Sequence, residues 1–356
     1  DGDGNAAATA GQRIYIEVTV QSLGTFAHAQ QAKMAVLIHI AHIHAYAIVL
    51  DRKREVTIFV PCQADIYAAG LGMARALLRA GLPVWGYDIR EDVRQAFIAE
   101  GGQPVSALSD SAALSDLLFI VVVNAAQTEQ LLFGEQGIAA RLRPGSVVIA
   151  CATISAAAAR RISGRLAEHQ VLMLDAPISG GAVRAEAGEL TIMASGPEAA
   201  FERAQTALAA VAAKVYRLGE EAGQGSQIKL VNQLLAGVHI AAAAEAMAYG
   251  IRQGCDPEAL YEVISHSAGN SWMFENRAPH LLAGDYRPRS AVDIFVKDLG
   301  LVLDSAQEAV FPLPLTASAH QMFKQASASG LGREDDIAVV KIFPGINLPA
   351  AANEEI

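Results

Sequence analysis

Short strand-like runs recur between residues 56 and 174, at 56–60, 83–87, 117–123, 146–150 and 171–174, and those at 117–123 and 146–150 are continuously apolar or nearly so. Runs of this length that are apolar throughout, rather than at alternate positions, fit strands buried on both faces. Helical patterns lie between them, over residues 70–80, 91–100 and 127–142. Strand and helix alternating in this way predict an α/β fold with a parallel, doubly wound sheet, because each crossover lays its helix on one face of the sheet. Ligands of such sheets sit at the carboxyl ends of the strands. The informative positions are therefore Asp88, Asn124, residues 151–155 and residues 175–181.

A long helix is predicted over residues 223–254, GQGSQIKLVNQLLAGVHIAAAAEAMAYGIRQG, with Ser226 as its N-cap and Gly254 closing it. Leu230, Leu234, Leu235, Val238, Ile240 and the alanines cover most of its circumference. A helix apolar on nearly all sides belongs between two packed bodies. No strand-like run follows it, and helical patterns continue to about residue 330. The expected organisation is an unassigned stretch over 1–55, a Rossmann-type nucleotide-binding domain over 56–222, an all-helical domain over 223–349 and a short tail over 350–356. Lys229, Asn232 and Gln233 cluster where the long helix begins. A cation in a first turn opposes the helix macrodipole. The bland reading is a solvated lysine; the functional one is an ammonium that meets an anionic substrate or exchanges a proton.

A net charge of −10 argues against a nucleic-acid partner, which needs a basic surface. Cys62, Cys151 and Cys255 are far apart and odd in number, suggesting neither a disulfide framework nor a metal cluster, and they fit a reducing cytoplasm. Residues 34–50 form an apolar run at the short limit for a membrane span, interrupted by His39, His42 and His44. The flanking sequence does not resemble a signal peptide, and the histidines have no carboxylate or cysteine company, so neither a membrane partner nor a metal site is assigned.

A dinucleotide-binding sheet carries G-x-G-x-x-G after its first strand. In the corresponding window, residues 65–70, only the third glycine, Gly70, is present; Asp65 and Tyr67 stand where the first two would be. A tyrosine side chain there obstructs the approach of backbone to pyrophosphate, and a carboxylate repels it. Asp88, at the end of the second strand, suits a ribose 2′-hydroxyl and favours NAD over NADP, although Arg90 nearby could pair with a 2′-phosphate.

Three later motifs are specific in combination. Residues 175–181, DAPISGG, followed by AEAGELTIMASG over 185–196, resemble the substrate signature of the β-hydroxyacid dehydrogenases, the family of 3-hydroxyisobutyrate and tartronate semialdehyde reductases. Gly223-Gln-Gly225 with Lys229, Asn232 and Gln233 resembles the catalytic G-x-G-x-x-x-K-x-x-N-N motif of that family, and Lys297-Asp298-Leu299 resembles its K-D-L segment. The resemblance covers about residues 68–349 and stops abruptly before Ala68. That break admits two readings: a misassigned stretch ahead of Ala68, or a true extension with a degenerate cofactor loop.

The resemblance implies an NAD-dependent oxidoreductase acting on a hydroxyl of a small polyhydroxy acid, with the four-carbon acid L-threonate first among substrates. Other 3-hydroxyacids and semialdehydes, or a non-catalytic homologue, are the alternatives. It implies Lys229 as general acid/base, and Ser179, Gly180 and Gly181 as the holders of the substrate carboxylate. Asn232 and Gln233 would contact the substrate or orient Lys229; the family usually has Asn at position 233. Gly70, Asp88, Asn124, Thr153 and Lys297 would face the cofactor, Asp298 would be structural, and Asn270, Trp272 and Phe295 would either line the pocket or pack. A homodimer or homotetramer assembled through the long helix is the implied state.

Overall fold

A computed structural model describes residues 47–50, 56–59, 64–87, 91–105 and 116–350. The amino-terminal half contains, in order, β1 (Ala47–Leu50), β2 (Val56–Phe59), α1 (Ala64–Arg79), β3 (Val84–Tyr87), α2 (Glu91–Ala99), β4 (Gln103–Pro104), β5 (Leu117–Ile120), α3 (Ala125–Phe133), β6 (Val147–Ala150), α4 (Ala156–Ala167) and β7 (Leu172–Asp175). It continues with β8 (Ile178–Ser179), α5 (Gly181–Ala187), β9 (Leu190–Ala194), α6 (Glu198–Val211) and β10 (Ala212–Arg217). The central sheet has the order β1-β2-β5-β6-β7. Within it β2, β5, β6 and β7 run parallel, as the continuous apolar runs require. β1, which falls in the stretch left unassigned from sequence, runs antiparallel to its neighbours.

Side chains alternate across this sheet, and each face has its own core. Leu117, Phe119, Val121, Val147 and Ile149 pack with Leu77 of α1 and with Phe201 and Leu208 of α6. Leu118, Ile120, Val122, Val148 and Ala150 pack on the other side with Leu131 and Leu132 of α3 and Ile162 and Leu166 of α4. Each of the larger of these side chains contributes about 1.5–3 kcal/mol by leaving water. A strand with both faces buried therefore has no polar position to alternate with.

The structure corrects several sequence boundaries. The helix expected over 127–142 is two pieces: α3, with Asn124 as N-cap, and a 3-10 turn over Ala139–Arg141. Glycines at 134 and 137 interrupt it, each in backbone or side-chain contact with the preceding turn where a Cβ would clash. The helix expected from residue 70 starts at Ala64, so the 65–70 window lies within α1. With Asp65 and Tyr67 in place of glycines, nothing in that window breaks helical geometry. Strands β9 and β10 were not expected; they form a second sheet, β10-β9-β8, in which β9 pairs parallel with β10 and antiparallel with β8.

The carboxyl-terminal half is α7 (Gln224–Arg252), α8 (Pro257–Ser265), α9 (Trp272–Leu282), α10 (Val292–Glu308) and α11 (Pro314–Ala326), followed by a 3-10 turn over Asp336–Ile342. No named strand occurs among its described residues. By length and composition α7 could cross a membrane. It is instead packed by α9, α10, α11 and the 3-10 turn, through a core that includes Ile240, Ala244, Met247, Phe274, Phe295, Leu299 and Phe323. Ser226 is not the N-cap of α7 but sits inside its first turn, and Lys229 consequently falls in the second turn.

Candidate active site

The amino end of α7 is closed by a side chain from the sheet. Asp175, the last residue of β7, is fully buried. Its Oδ2 accepts from the backbone N–H groups of Gly223 and Ser226, both at 2.9 Å, and its Oδ1 accepts from the Ser226 hydroxyl at 2.7 Å. Ser195, at the end of β9, donates to Asp175 Oδ2 at 3.4 Å and accepts from the Gly225 N–H at 2.9 Å. Burial pushes the Asp175 carboxyl up from its ordinary value, and these donors oppose the rise. The helix end also sits very close to the strands: a Cβ on Gly225 would lie 2.3 Å from the Met193 carbonyl oxygen and 2.7 Å from that of Asp175. Only glycine permits that approach.

Two turns into α7, Lys229 and Gln233 lie on its buried face, with Asn232 half-buried beside them. Burial pulls the Lys229 ammonium down to about 8; Asp298 opposes that shift and the charge of Lys297 adds to it. The carboxylate of Asp298, on α10, accepts from Gln233 Nε2 at 2.6 Å through Oδ2, while its Oδ1 lies 2.6 Å from Lys297 Nζ. Asn232 Nδ2 donates to Gln233 Oε1 at 3.0 Å.

Lys297 carries the cluster across to the sheet. Its ammonium donates to the carbonyl oxygen of Val123 at 2.8 Å and to that of Thr153 at 3.1 Å. Those carbonyls lie just beyond the carboxyl ends of β5 and β6, where ligands of a doubly wound sheet sit. Asn124, next to Val123, accepts from the Gln127 N–H through its side chain, and Gln127 in turn accepts from the Val123 N–H.

The structure thus brings Lys229, Asn232, Gln233, Asp298, Lys297, Asn124 and Thr153 to one crevice between sheet and helices. Ser179, Gly180 and Gly181 lie on the turn from β8 into α5, where Gly180 and Gly181 take φ of +134° and +69°; they are tied to α7 through Asp175, four residues earlier. Gly70 is buried inside α1 rather than at its start. Asp88 lies outside the described residues. Phe295 is a core residue, stacked on Phe323 at 5.2 Å, whereas Trp272 is 54% exposed. Asn270 donates to Glu275 and to the Ser265 carbonyl. A surface depression lined by Arg75, Leu78, Arg79, Glu100 and Glu186 shares no residue with the crevice.

Sequence reasoning did not anticipate the capping role of Asp175 or the Gln233–Asp298 bond. The signal for the first was present: a carboxylate ending an apolar strand is too costly to bury without several donors.

Residues 68–219 match the family described as the NAD binding domain of 6-phosphogluconate dehydrogenase, and residues 223–343 match that described as NAD-binding of NADP-dependent 3-hydroxyisobutyrate dehydrogenase. The L-threonate dehydrogenase of Cupriavidus necator is 59% identical to this chain, over 80% of it and 96% of the relative. The chain belongs to the β-hydroxyacid dehydrogenase family. The L-threonate dehydrogenase of Escherichia coli strain K12 is 54% identical over 79% of the chain and 94% of its own length. A crystal structure described as 3-hydroxyisobutyrate dehydrogenase from Salmonella typhimurium superposes with a TM-score of 0.74 at 53% identity, covering 78% of this chain and 96% of that one.

As a β-hydroxyacid dehydrogenase the molecule is an NAD(P)-dependent oxidoreductase acting on CH–OH donors, with a Rossmann-type sheet followed by a helical domain. The described part of the crevice fits a nicotinamide cofactor. Asn124 and Thr153 lie just beyond the carboxyl ends of β5 and β6, where ligands of such sheets sit, and the Lys297 ammonium reaches from α10 to the carbonyls of Val123 and Thr153 there.

Proposed function

We propose that this chain oxidises a hydroxyl of L-threonate with NAD, with Lys229 as the general base. The observation that carries the proposal is Lys229 itself: a lysine buried in a crevice of a dehydrogenase, with its affinity for a proton lowered to about 8. A base works best when its pKa lies near the operating pH. The names of the relatives at more than half identity supply the substrate.

In the reaction the C–H bond of the substrate breaks with its electron pair, the proton of the hydroxyl passes to Lys229 Nζ, and a C=O bond forms. The cofactor, when bound, supplies the hydride acceptor. Ser179 and the backbone of Gly180 and Gly181 hold the substrate carboxylate through N–H groups on a tight, positive-φ turn. Asn232 and Gln233 organise the substrate side of Lys229. Asn124, Thr153 and Lys297 bound the nicotinamide end, while Asp88 belongs to the ribose end. Residues 56–222 act as the cofactor domain and 223–349 as the helical domain.

Copies of the chain associate as a homodimer or homotetramer through α7, on which Ile228, Val231 and Leu235 form an exposed apolar stripe at helical spacing. The working compartment is the cytoplasm, as the unpaired Cys151 and Cys255 suggest.

Titration with NADH followed by fluorescence, then assay of NAD reduction with L-threonate, tests this reading. Micromolar cofactor binding and turnover are expected. A folded sample that binds no cofactor at millimolar concentration would instead support a non-catalytic homologue, the alternative favoured by the helical conformation of residues 65–70.

A further inference from the structure

The amide side chains of Asn232 and Gln233 are not free to choose which end they present. The chain of constraint starts at Asp298. Its carboxylate has only acceptor atoms, and Oδ2 lies 2.6 Å from one end of the Gln233 amide. With the amide turned over, two oxygens would meet at that distance with no proton between them. Gln233 therefore presents Nε2 to Asp298 and leaves Oε1 toward Asn232. That oxygen also accepts only, so Asn232 gives it Nδ2, at 3.0 Å. The orientation set by one buried carboxylate passes through two amides. At the end of the relay the Asn232 carbonyl oxygen is left without a partner among the described residues.

We infer that Asp298 and Gln233 are positioning residues that fix Asn232 with its carbonyl oxygen toward the substrate, as an acceptor for a substrate hydroxyl other than the one being oxidised. Both ends of the Gln233 amide are spent inside the protein, which makes it a strut rather than a substrate contact. Its length is part of the device. An asparagine at 233 would be shorter by one C–C bond, roughly 1.5 Å, enough to break a 2.6 Å contact to Asp298 unless α7 and α10 moved together. Asn232 lies on the same helical side as Lys229, three residues on, so the acceptor it presents stands beside the proton-transfer site. A site built to bond a hydroxyl discriminates against a substrate that lacks it, because a bound substrate that excludes water then leaves the acceptor unmatched.

This inference rests on the polyhydroxy-acid reading above, and two measurements separate them. The first needs no turnover: the side-chain amide protons of Gln233 and Asn232 are observed by 15N-resolved NMR in the unaltered protein and in Asp298→Asn. The Gln233 Nε2 protons are expected to show slow exchange and a carboxylate-bonded shift that the substitution abolishes, with the Asn232 amide moving too. Signals indifferent to Asp298→Asn would overturn the relay. The second compares L-threonate with 3-hydroxyisobutyrate, which has one hydroxyl, in Gln233→Asn and Gln233→Leu. The ratio of kcat/KM for the two acids is expected to fall about tenfold, chiefly through KM for L-threonate, with NADH affinity holding within about threefold. An equal loss on both acids would refute the specificity role. If the unaltered protein turned over neither acid, the proposed function would fail, and the NMR comparison would still decide the relay.

Discussion

The hydroxyl of Ser226 donates to Oδ1 of Asp175 at 2.7 Å, across 51 residues of sequence. One partner ends the strand that leads into the Ser179–Gly181 turn; the other lies in the first turn of the helix that carries Lys229. The proposed carboxylate-binding turn and the proposed base are thus registered to one buried carboxylate. A local repacking that moved either would have to break it.

Asp175→Asn tests that register at nearly constant volume. An amide can accept at one end only, so the N–H groups of Gly223 and Ser226 and the two serine hydroxyls cannot all keep their acceptors. Stability is expected to drop by about 2–4 kcal/mol, read from denaturant unfolding, together with most of the turnover. An unfolding midpoint that did not move would show that the cap is not what holds α7.

Lys229→Met should trade activity for stability. Turnover is expected to vanish while NADH binding is largely kept. A lysine whose pKa falls from 10.5 to about 8 on folding penalises the folded state by on the order of 3 kcal/mol below pH 8. Removing the ammonium lifts that penalty, so the thermal midpoint should rise. Retained turnover would remove Lys229 from the chemistry.

The same lysine predicts the pH dependence. Oxidation needs the unprotonated amine, so kcat/KM should rise about tenfold per pH unit below pH 8 and level off above it. Reduction of the oxo acid needs the ammonium and should fall above that point. The stability of the unaltered protein should increase between about pH 8 and 10.5, where the unfolded chain binds more protons than the folded one. An oxidation profile flat from pH 6 to 9 would contradict the assignment.

Val231→Asp probes assembly. Val231 is 59% exposed, between Ile228 and Leu235 on the outer stripe of α7. A carboxylate in the middle of that stripe is expected to convert the proposed oligomer to monomer, measured by light scattering during size-exclusion chromatography. An unchanged mass would put the interface elsewhere.

The parallel sheet, its two-faced cores and the long helix were legible in the sequence because each rests on local apolar patterning. Leu117–Ile120 and Val147–Ala150 are buried on every residue, and that is written in their composition. The grouping of Lys229, Asn232 and Gln233 was legible for a different reason, their closeness in sequence on one predicted helix. The helix start at Ala64 was not: the fingerprint spacing pointed to residue 70, but without its first glycines the window follows helix propensity. Nor were the contacts that define the crevice. Lys297 meets Val123 and Thr153 across 174 and 144 residues, Gln233 meets Asp298 across 65, and Gly223 meets Asp175 across 48. Hydrogen bonds of this kind leave no periodic trace in the chain. Their partners are chosen only once the cores on either side of the crevice have packed and fixed where each helix and strand ends.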